Sequence, residues 1–194
     1  MFKNLKVVEL ASVLAGPLTG TFFSELGAKV LKIENKRTKG DVTRTWKLPT
    51  ESKENTVSAY YSAANYGKDS LFLDVTDPLD YEILITHIKD ADIVITNYQP
   101  STAKKLKLCY ADLKPYHPSL IYAELTGFGG ADSRPAFDVV LQAETGFMYM
   151  NGEPDRPPVK MPVALIDVLA AHHLKEAILC ALIHKLQTGK GKQI

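Results

Sequence analysis

The sequence predicts an α/β fold: a Rossmann-like, mostly parallel β-sheet with helices on both faces. Three observations support this prediction. Short runs rich in β-branched residues alternate with amphipathic segments, the first three of these segments have the order of a βαβ unit, and the 194 residues contain no internal repeat. Strands that alternate with helices form parallel sheets, because each crossover helix brings the chain back to the same edge.

The βαβ unit opens the chain. Residues 5–10 (LKVVEL) predict a buried strand, and residues 28–34 (AKVLKIE) predict a second one. Between them, residues 17–27 (PLTGTFFSELG) predict a helix that ends at a glycine. A polar stretch from Asn35 to Asn55 follows, and its length and charge are typical of a functional loop.

The remaining sequence continues the alternation. Further strands are predicted at 70–75 (SLFLDV), 92–97 (DIVITN) and 119–126 (SLIYAELT), with a helix at 77–91 (DPLDYEILITHIKDA). After Gly127 the chain is rich in turn residues. It then predicts a helix over 136–150 and a long helix after Asp167, where apolar residues recur every three or four positions. The final QTGKGKQI predicts a turn and the start of another strand.

Composition limits the classes of function. The 23 Lys and Arg residues balance the 22 Asp and Glu residues, and the net charge of +1 predicts neither a nucleic-acid partner nor an anionic membrane surface. The two cysteines, Cys109 and Cys180, have no CxxC spacing, which argues against a disulfide framework and a zinc site. No apolar run is long enough to span a bilayer and MFKNLKVVEL has no signal-peptide core, so we predict a cytoplasmic protein with no membrane partner and no metal site.

Asp167 stands in the apolar run PVALIDVLAA, at residues 162–171. Burying an unpaired carboxylate is costly, so this residue needs a role. One interpretation is structural, because aspartate at a helix N-cap or in the first turn accepts free backbone N–H groups and complements the helix dipole. The other interpretation is catalytic, and the residues around Asp167 leave both open.

The first βα turn does not favour a nicotinamide cofactor, although Glu34 stands where dinucleotide-binding folds place a ribose-binding acid. The turn sequence ASVLAGP has one glycine where GxGxxG needs three, and Pro17 removes one N–H from the helix start. Two basic clusters that follow predicted strands are better candidates to neutralise an anionic ligand. They are Lys36, Arg37, Lys39 and Arg44, and then Lys104, Lys105 and Lys107.

Segments along nearly the whole chain together resemble one family. They are LKVVELASVLAGPLTGTFFSELGAKVLKIE followed by GDVTR, then NYGKDSLFLDV, ADIVITNYQP, LIYAELTGFG, FDVVLQAETG, LIDVLAA and TGKGKQI. These segments resemble the class III CoA-transferases of the CaiB/BaiF type, which include formyl-CoA:oxalate and carnitine CoA-transferases and are related to α-methylacyl-CoA racemase. The resemblance implies the N-terminal part of an interlocked-dimer CoA-transferase fold.

The resemblance also implies a role for Asp167. Its carboxylate would attack an acyl-CoA thioester to give a mixed anhydride, the CoA thiolate would then form an aspartyl-CoA thioester, and CoA would finally pass to an acceptor acid. Coenzyme A is thus a substrate, and no permanently bound cofactor is expected. We expect the helix N-terminus to lower the pKa of Asp167 and the apolar neighbours to exclude water.

By the same resemblance, residues of several segments would bind CoA. Pantetheine and the thioester would lie along the SVLAG loop, at Ser12, Val13, Leu14 and Ala15. The nucleotide would lie beyond the loop, with its phosphates near Asn35, Lys36, Arg37 and Lys105 and its adenine near Leu71, Phe72 and Leu73. Asn97 and Tyr98 would line the same pocket. Asn35 stands where formyl-CoA transferase has an arginine, so Lys36 or Arg37 would supply that charge. Leu14 stands where the same enzyme has a glutamine, so an oxalate-like substrate is not favoured.

Phe137 argues against racemisation. The related racemase needs a histidine directly before the aspartate that corresponds to Asp138, and phenylalanine cannot move a proton. His172 and His173 lie about one and a half helical turns beyond Asp167, and we predict that they are surface or interface residues.

The resemblance implies that residues 1–194 form the N-terminal Rossmann-like portion of the large domain, and that the small domain and the C-terminal return are absent. The expected partners are an acyl-CoA, a carboxylic acid, and a second copy of the chain or a separate chain that supplies the missing half. A noncatalytic CoA-binding or assembly subunit, a racemase and an NAD-dependent oxidoreductase domain remain as alternative functions.

Overall fold

A parallel six-stranded sheet forms the centre of the protein in our computed structural model, which describes residues 1–132 and 134–194. The strand order is β3-β2-β1-β4-β5-β6, and every neighbouring pair is parallel. The strands are β1 (Lys6–Leu10), β2 (Lys29–Asn35), β3 (Asp69–Leu73), β4 (Ile93–Thr96), β5 (Ile121–Glu124) and β6 (Lys192–Gln193). The predicted α/β fold with a mostly parallel sheet is confirmed.

Helices connect the strands and cover both faces of the sheet. They are α1 (Ala15–Glu25), α2 (Ala59–Ala64), α3 (Pro78–Lys89), α4 (Pro100–Lys105), α5 (Tyr110–Leu113), α6 (Asp138–Glu144), α7 (Phe147–Met150) and α8 (Leu165–Thr188). The polar stretch after β2 contains two short 3-10 helices, at Lys36–Thr38 and Val42–Thr45. Among the described residues, none of the helices combines the length and the hydropathy that a membrane span requires.

Two hydrophobic cores lie on opposite faces of the sheet. Successive residues of a strand point to opposite faces, so Val8 of β1 joins the core under α3 while Val7 joins the core under α1 and α8. Helix α8 buries Leu174, Ile178 and Ala181, which recur at spacings of four and three. This is the helical periodicity that the sequence predicted.

The order of the strands places one crevice near the middle of the sheet. From β1 the chain crosses to β2 on one side, and β4 pairs with β1 on the other side. In open α/β sheets, ligands bind beyond the carboxyl ends of the strands at such a point of reversal. The loop after β1 and the loop after β4 are therefore where a site is expected.

The structure differs from the sequence prediction in one helix. The region predicted as a single helix over 136–150 is broken into α6 and α7, because Gly146 adopts the left-handed conformation with φ of 83°. Glycine tolerates this conformation because it has no Cβ. The predicted final strand is present as the short strand β6, which pairs with β5.

Candidate functional site

Asp167 lies in the first turn of α8 and lines a cavity of about 140 Å³. The cavity lies beyond the carboxyl ends of β4 and β5 and reaches the start of α1. Its other walls come from Ala15, from Asn97, Tyr98, Gln99 and Pro100, from Leu125, Thr126 and Gly127, from Asp132, Arg134, Ala136 and Leu141, and from Ile166 and Ala170. Among the described residues, none donates a hydrogen bond to the Asp167 carboxylate. The nucleophile predicted from the sequence thus faces an open space with its oxygens uncommitted.

The pKa of Asp167 is raised, from 3.8 to about 6. Burial is the larger cause, and the nearby Asp138 carboxylate adds to it by charge repulsion. The expectation that this pKa is lowered is wrong, because burial and the Asp138 charge both raise it. About nine in ten of the Asp167 side chains are still ionised at pH 7, which leaves the carboxylate available as a nucleophile.

Asp138, and not Asp167, caps α8. The N-cap residue of α8 is Ala164, which has no side-chain acceptor. Asp138 Oδ1, from the start of α6, accepts hydrogen bonds from the backbone N–H groups of Ile166 at 2.8 Å and Asp167 at 3.3 Å. The interpretation of Asp167 as the structural cap is therefore wrong, although its place in the first turn was predicted.

The predicted SVLAG loop is held by the end of β4. The Ser12 N–H donates to Asn97 Oδ1 at 3.0 Å, and Asn97 Nδ2 donates back to the Ser12 carbonyl at 2.8 Å. Val13 has a φ of 71°, a left-handed conformation that is costly for a β-branched residue. The side chains of Ser12, Val13 and Leu14 are not buried, and Ala15 lines the cavity beside Asp167. The structure thus brings this loop and Asn97 next to Asp167.

A buried charge network supports the same loop. Lys32 Nζ lies 3.0 Å from Glu9 Oε1 and 3.1 Å from Asp41 Oδ2, and it donates to the Ala11 carbonyl at 2.7 Å. Asp41 in turn accepts from the Val13 N–H at 3.1 Å. This network was not predicted from the sequence. The available signal was the pair of opposite charges at Glu9 and Lys32, which are register partners in adjacent buried strands.

Two further cavities extend from the loop towards the predicted phosphate residues. One cavity is lined by Ser12 and Asn35, and the other is lined by Asn35 and Arg37. Tyr98 lines both of these cavities and also the Asp167 cavity. A shared wall residue favours one extended ligand. The structure therefore brings together the residues predicted for the thioester and for part of the nucleotide.

Lys36 and Arg37 lie in an exposed turn whose backbone is fixed by Asn35, since Asn35 Oδ1 accepts from the Arg37 N–H at 2.9 Å. Their ion pairs to Asp80 and Asp74 are long, at 3.8 Å each. Exposed pairs of this length contribute little, so both cations can reach another anion. Lys105, the last residue of α4, lines another cavity, which shares Val75, Thr76 and Leu106 with the cavity that contains Arg37.

The predicted adenine residues do not share one face. They belong to the edge strand β3, where Leu73 is 3% exposed within a core and Leu71 packs against the same core. Phe72 points to the other face, with 39% of its surface exposed, and its ring lies 5.2 Å from the Arg44 guanidinium. Of these three side chains, Leu73 lines a cavity with Arg37 and Tyr98.

Arg44, predicted as part of the first basic cluster, is committed to the fold. It donates to both carboxylate oxygens of Glu34, at 2.7 and 2.5 Å, and to the Tyr61 hydroxyl at 2.7 Å. Burial raises the pKa of Glu34, but hydrogen bonds from Arg44 and Ser70 outweigh it and leave the pKa at about 2. Because Glu34 is buried and saturated, the ribose-binding position of a dinucleotide site is not available.

Arg134 lines the cavity that contains Asp167, and it was not predicted as a site residue from the sequence. Its guanidinium lies 3.8 Å from the Phe128 ring centre and pairs with Asp132 at 2.9 Å and Glu144 at 3.0 Å. These contacts orient the cation at the cavity wall while half of the side chain stays exposed. Arg134 lies in the turn-rich stretch after Gly127, where no periodic pattern indicates which side chains face the site. By contrast, His172 and His173 are exposed on α8, as predicted.

Comparison with known proteins agrees with this arrangement. The family model described as CoA-transferase family III matches residues 2–194. The succinate–glutarate CoA-transferase of Agrobacterium fabrum is 38% identical over 98% of this chain and 49% of its own length, and the human succinyl-CoA:glutarate CoA-transferase is 33% identical over 97% and 43%. The crystal structure of a CAIB/BAIF family protein from Brucella suis has a TM-score of 0.92 at 39% identity, covering 99% of this chain and 51% of that one.

The chain spans about half the length of the curated relatives that it matches. The match nevertheless runs through nearly every described element, from the first strand to the last, and the family predicted from the sequence segments is confirmed. This chain belongs to CoA-transferase family III.

Proposed function

We propose that the protein containing this chain transfers CoA from an acyl-CoA thioester to a carboxylic acid, with Asp167 as the nucleophile. The observation that carries the proposal is the position of Asp167. Its carboxylate faces a cavity at the carboxyl edge of the sheet, without a hydrogen-bond donor among the described residues, in a chain of CoA-transferase family III. Membership of the family and the geometry of the site thus support the same chemistry.

The first half of the reaction forms two covalent intermediates. The Asp167 carboxylate attacks the thioester carbonyl, the C–S bond breaks, and the CoA thiolate is released. The product on the protein is a mixed anhydride between the donor acyl group and Asp167. The thiolate then attacks the Asp167 carbonyl carbon. The donor acid departs as a carboxylate, and Asp167 becomes a thioester of CoA.

The second half reverses these steps with a new acid. The acceptor carboxylate attacks the aspartyl thioester, releases the thiolate and forms a second anhydride. The thiolate attacks the acyl carbonyl of the acceptor, which yields the new acyl-CoA and restores the Asp167 carboxylate. Every step exchanges one carboxylate or thiolate for another, so the reaction needs no net proton transfer and no permanent cofactor.

The surroundings of Asp167 suit this chemistry. Its pKa of about 6 leaves an ionised carboxylate at neutral pH that is more basic, and thus more nucleophilic, than an ordinary aspartate. Ala15 and Ala170 line the cavity with small apolar groups. Neither side chain can hold a water molecule that would hydrolyse an anhydride. Phe137, which is 59% exposed and carries no titratable group, does not support proton exchange in a racemase.

We propose that CoA follows the three cavities that share Tyr98, with its thioester near Ala15 and its phosphates near Arg37. The exposed cations at Lys36 and Arg37 can pair with phosphate oxygens. Because the chain spans about half of its relatives, we also propose that a second copy or a separate chain completes the active site.

We further propose a dicarboxylic acid as one substrate. Three of the relatives are named a succinate–glutarate, a succinyl-CoA:mesaconate and an acetyl-CoA:oxalate CoA-transferase, and a further one is named a probable fatty acyl-CoA transferase. In this chain, Arg134 is the cationic side chain among the described residues of the Asp167 cavity. It would attract the carboxylate of the substrate that does not react, because a guanidinium binds a carboxylate through paired hydrogen bonds.

The test is an assay of CoA transfer by the full-length protein, with succinyl-CoA as donor and a panel of mono- and dicarboxylic acids. We expect product with dicarboxylates and none with Asp167→Asn. Arg134→Gln should raise KM for dicarboxylates roughly tenfold and leave monocarboxylates unchanged, while Arg156→Gln, an exposed cation outside the described cavity, should match wild type. CoA binding without any transfer would contradict the proposal and favour a noncatalytic CoA-binding subunit.

A further inference from the structure

The long helix α8 begins without a cap of its own. The first N–H groups of a helix have no partner within the helix and need an acceptor from elsewhere. Ala164 at the N-cap cannot supply one, and Asp138 supplies it from a different helix. The two N–H groups that Asp138 accepts from belong to Ile166 and Asp167, so the contact is made at the backbone of the nucleophile itself.

Asp138 is fixed in turn by Gln142, one helical turn further along α6. Gln142 is 1% exposed, and its Nε2 donates to Asp138 Oδ2 at 2.5 Å. The same amide group donates to the Val163 carbonyl at 3.2 Å, and its Oε1 accepts from the Met161 N–H at 2.8 Å. Helix α6 is therefore bonded both to the segment before α8 and to the first turn of α8.

These contacts join two parts of the chain that lie far apart in sequence. Asp138 and Asp167 are separated by 29 residues, and the intervening segment is mostly exposed. A loop of this kind cannot by itself hold a catalytic group to within a fraction of an ångström, the accuracy that a reacting group needs. Gln142 and Asp138 provide fixed points on both sides of the start of α8.

We propose that Asp138 is the positioning residue of Asp167: it caps α8 from α6, is itself held by Gln142, and so fixes the nucleophile against the cavity. This proposal rests on the proposed function of Asp167. The acceptor role suits a carboxylate, which has four lone-pair sites for the three N–H donors that surround Asp138. Asp138 also acts on Asp167 through its charge, which raises the pKa of Asp167 in addition to burial.

Two substitutions separate the cap from the charge. Asp138→Asn keeps an acceptor for the Ile166 and Asp167 N–H groups, but it removes the charge and loses the hydrogen bond from Gln142 Nε2, because its own Nδ2 is a donor. Asp138→Leu removes the acceptor as well. The charged and titratable groups that face Asp167 among the described residues are Asp138 on α6, Tyr60 on α2, and Tyr98, Asp132 and Arg134 in the cavity wall. Only the first of these changes in the two variants.

The experiment measures single-turnover acylation of the full-length protein by acyl-CoA as a function of pH. We expect Asp138→Leu to acylate about tenfold to a hundredfold more slowly with little change in CoA affinity. We expect Asp138→Asn to stay within a few-fold of wild type at pH 7, with the pH midpoint moved below that of wild type because charge repulsion is lost. Glu25→Gln, an exposed acid on α1, is the control and should leave rate and midpoint unchanged.

Unchanged rates and an unchanged midpoint in both folded variants would overturn the proposal. That result would mean that Asp138 only stabilises the fold, because a purely structural role changes neither the acylation rate nor the pH midpoint of the folded protein. Hydrogen exchange tests the cap without any chemistry: the Ile166 and Asp167 amides should exchange about tenfold faster in Asp138→Leu than in wild type, and equal exchange would overturn it. If wild type forms no adduct, the proposed function fails, and the exchange result still decides the cap.

Discussion

The Asp41 carboxylate and the Val13 amide are joined by a hydrogen bond of 3.1 Å. This contact holds Val13 in its left-handed conformation at the point where the loop after β1 turns towards Asp167. The same carboxylate oxygen lies 3.1 Å from the buried Lys32 ammonium. A network inside the sheet thus fixes the loop that we propose to bind the thioester end of CoA.

Removing the charge of Asp41 should destabilise the fold. Asp41→Asn leaves buried Lys32 with one carboxylate partner, Glu9, and breaking a buried ion pair costs on the order of 3 kcal/mol. Urea unfolding measures the loss. Asp90→Asn removes an exposed ion pair with Lys6 and should leave the midpoint almost unchanged. Equal midpoints for Asp41→Asn and wild type would show that the network does not stabilise the fold.

Glu34 should make stability depend on acid pH. Its pKa is lowered from 4.5 to about 2 in the folded protein, so its contribution is complete above about pH 4.5 and is lost as the pH falls towards 2. The shift corresponds to roughly 2–4 kcal/mol. The free energy of unfolding, measured between pH 2 and 6, should fall less steeply in Glu34→Gln than in wild type. Parallel curves for the two proteins would contradict this assignment.

The ionised Asp167 carboxylate should lower the free energy of unfolding at neutral pH. Because its pKa is raised from 3.8 to about 6, the unfolded chain loses its proton first, and stability falls as the pH rises from about 4 to 6. Asp167→Asn should therefore be more stable than wild type at pH 7, by on the order of 1 kcal/mol after allowance for its solvent contact. Near pH 3.5 the two should unfold at similar urea concentrations. A variant less stable at pH 7 would show that the carboxylate is paired in the fold.

Arg37 should contribute to CoA affinity through charge. Arg37→Gln should weaken CoA binding roughly tenfold at low salt, with a smaller difference at high salt, because the proposed partner is a phosphate. Isothermal titration over a range of salt concentrations measures both effects. Lys89→Gln, at the end of α3 and away from the three cavities, serves as the matched control. A salt dependence equal to that of wild type would remove Arg37 from the phosphate site.

The sequence predicted what depends on periodicity and on local turn residues. The buried strands around Val7 and Ile95 and the apolar face of α8 at Leu174 and Ile178 follow from spacing alone. Asp167 was found because a carboxylate in an apolar run is conspicuous. The contact between Asp138 and Asp167 was not predicted, because Asp138 lies 29 residues away and the contact depends on how α6 packs against α8.

Long-range packing also explains the other differences. The direction of the shift in the Asp167 pKa could not be predicted from the sequence, since it depends on the depth of burial and on the Asp138 charge. Arg44 was predicted to be available for an anionic ligand, but in the fold it pairs with buried Glu34. Opposite charges that approach only after folding leave no local pattern in the sequence.

The most direct test of the account is intact-protein mass spectrometry of the full-length protein after exposure to a panel of acyl-CoAs, with Asp167→Asn as the control. The proposed mechanism predicts a CoA-sized adduct that hydroxylamine releases, that peptide mapping places on Asp167 and that the variant does not form. If the protein binds CoA and transfers it to an acid without ever forming that adduct, or if Asp167→Asn forms it equally well, Asp167 is not the nucleophile.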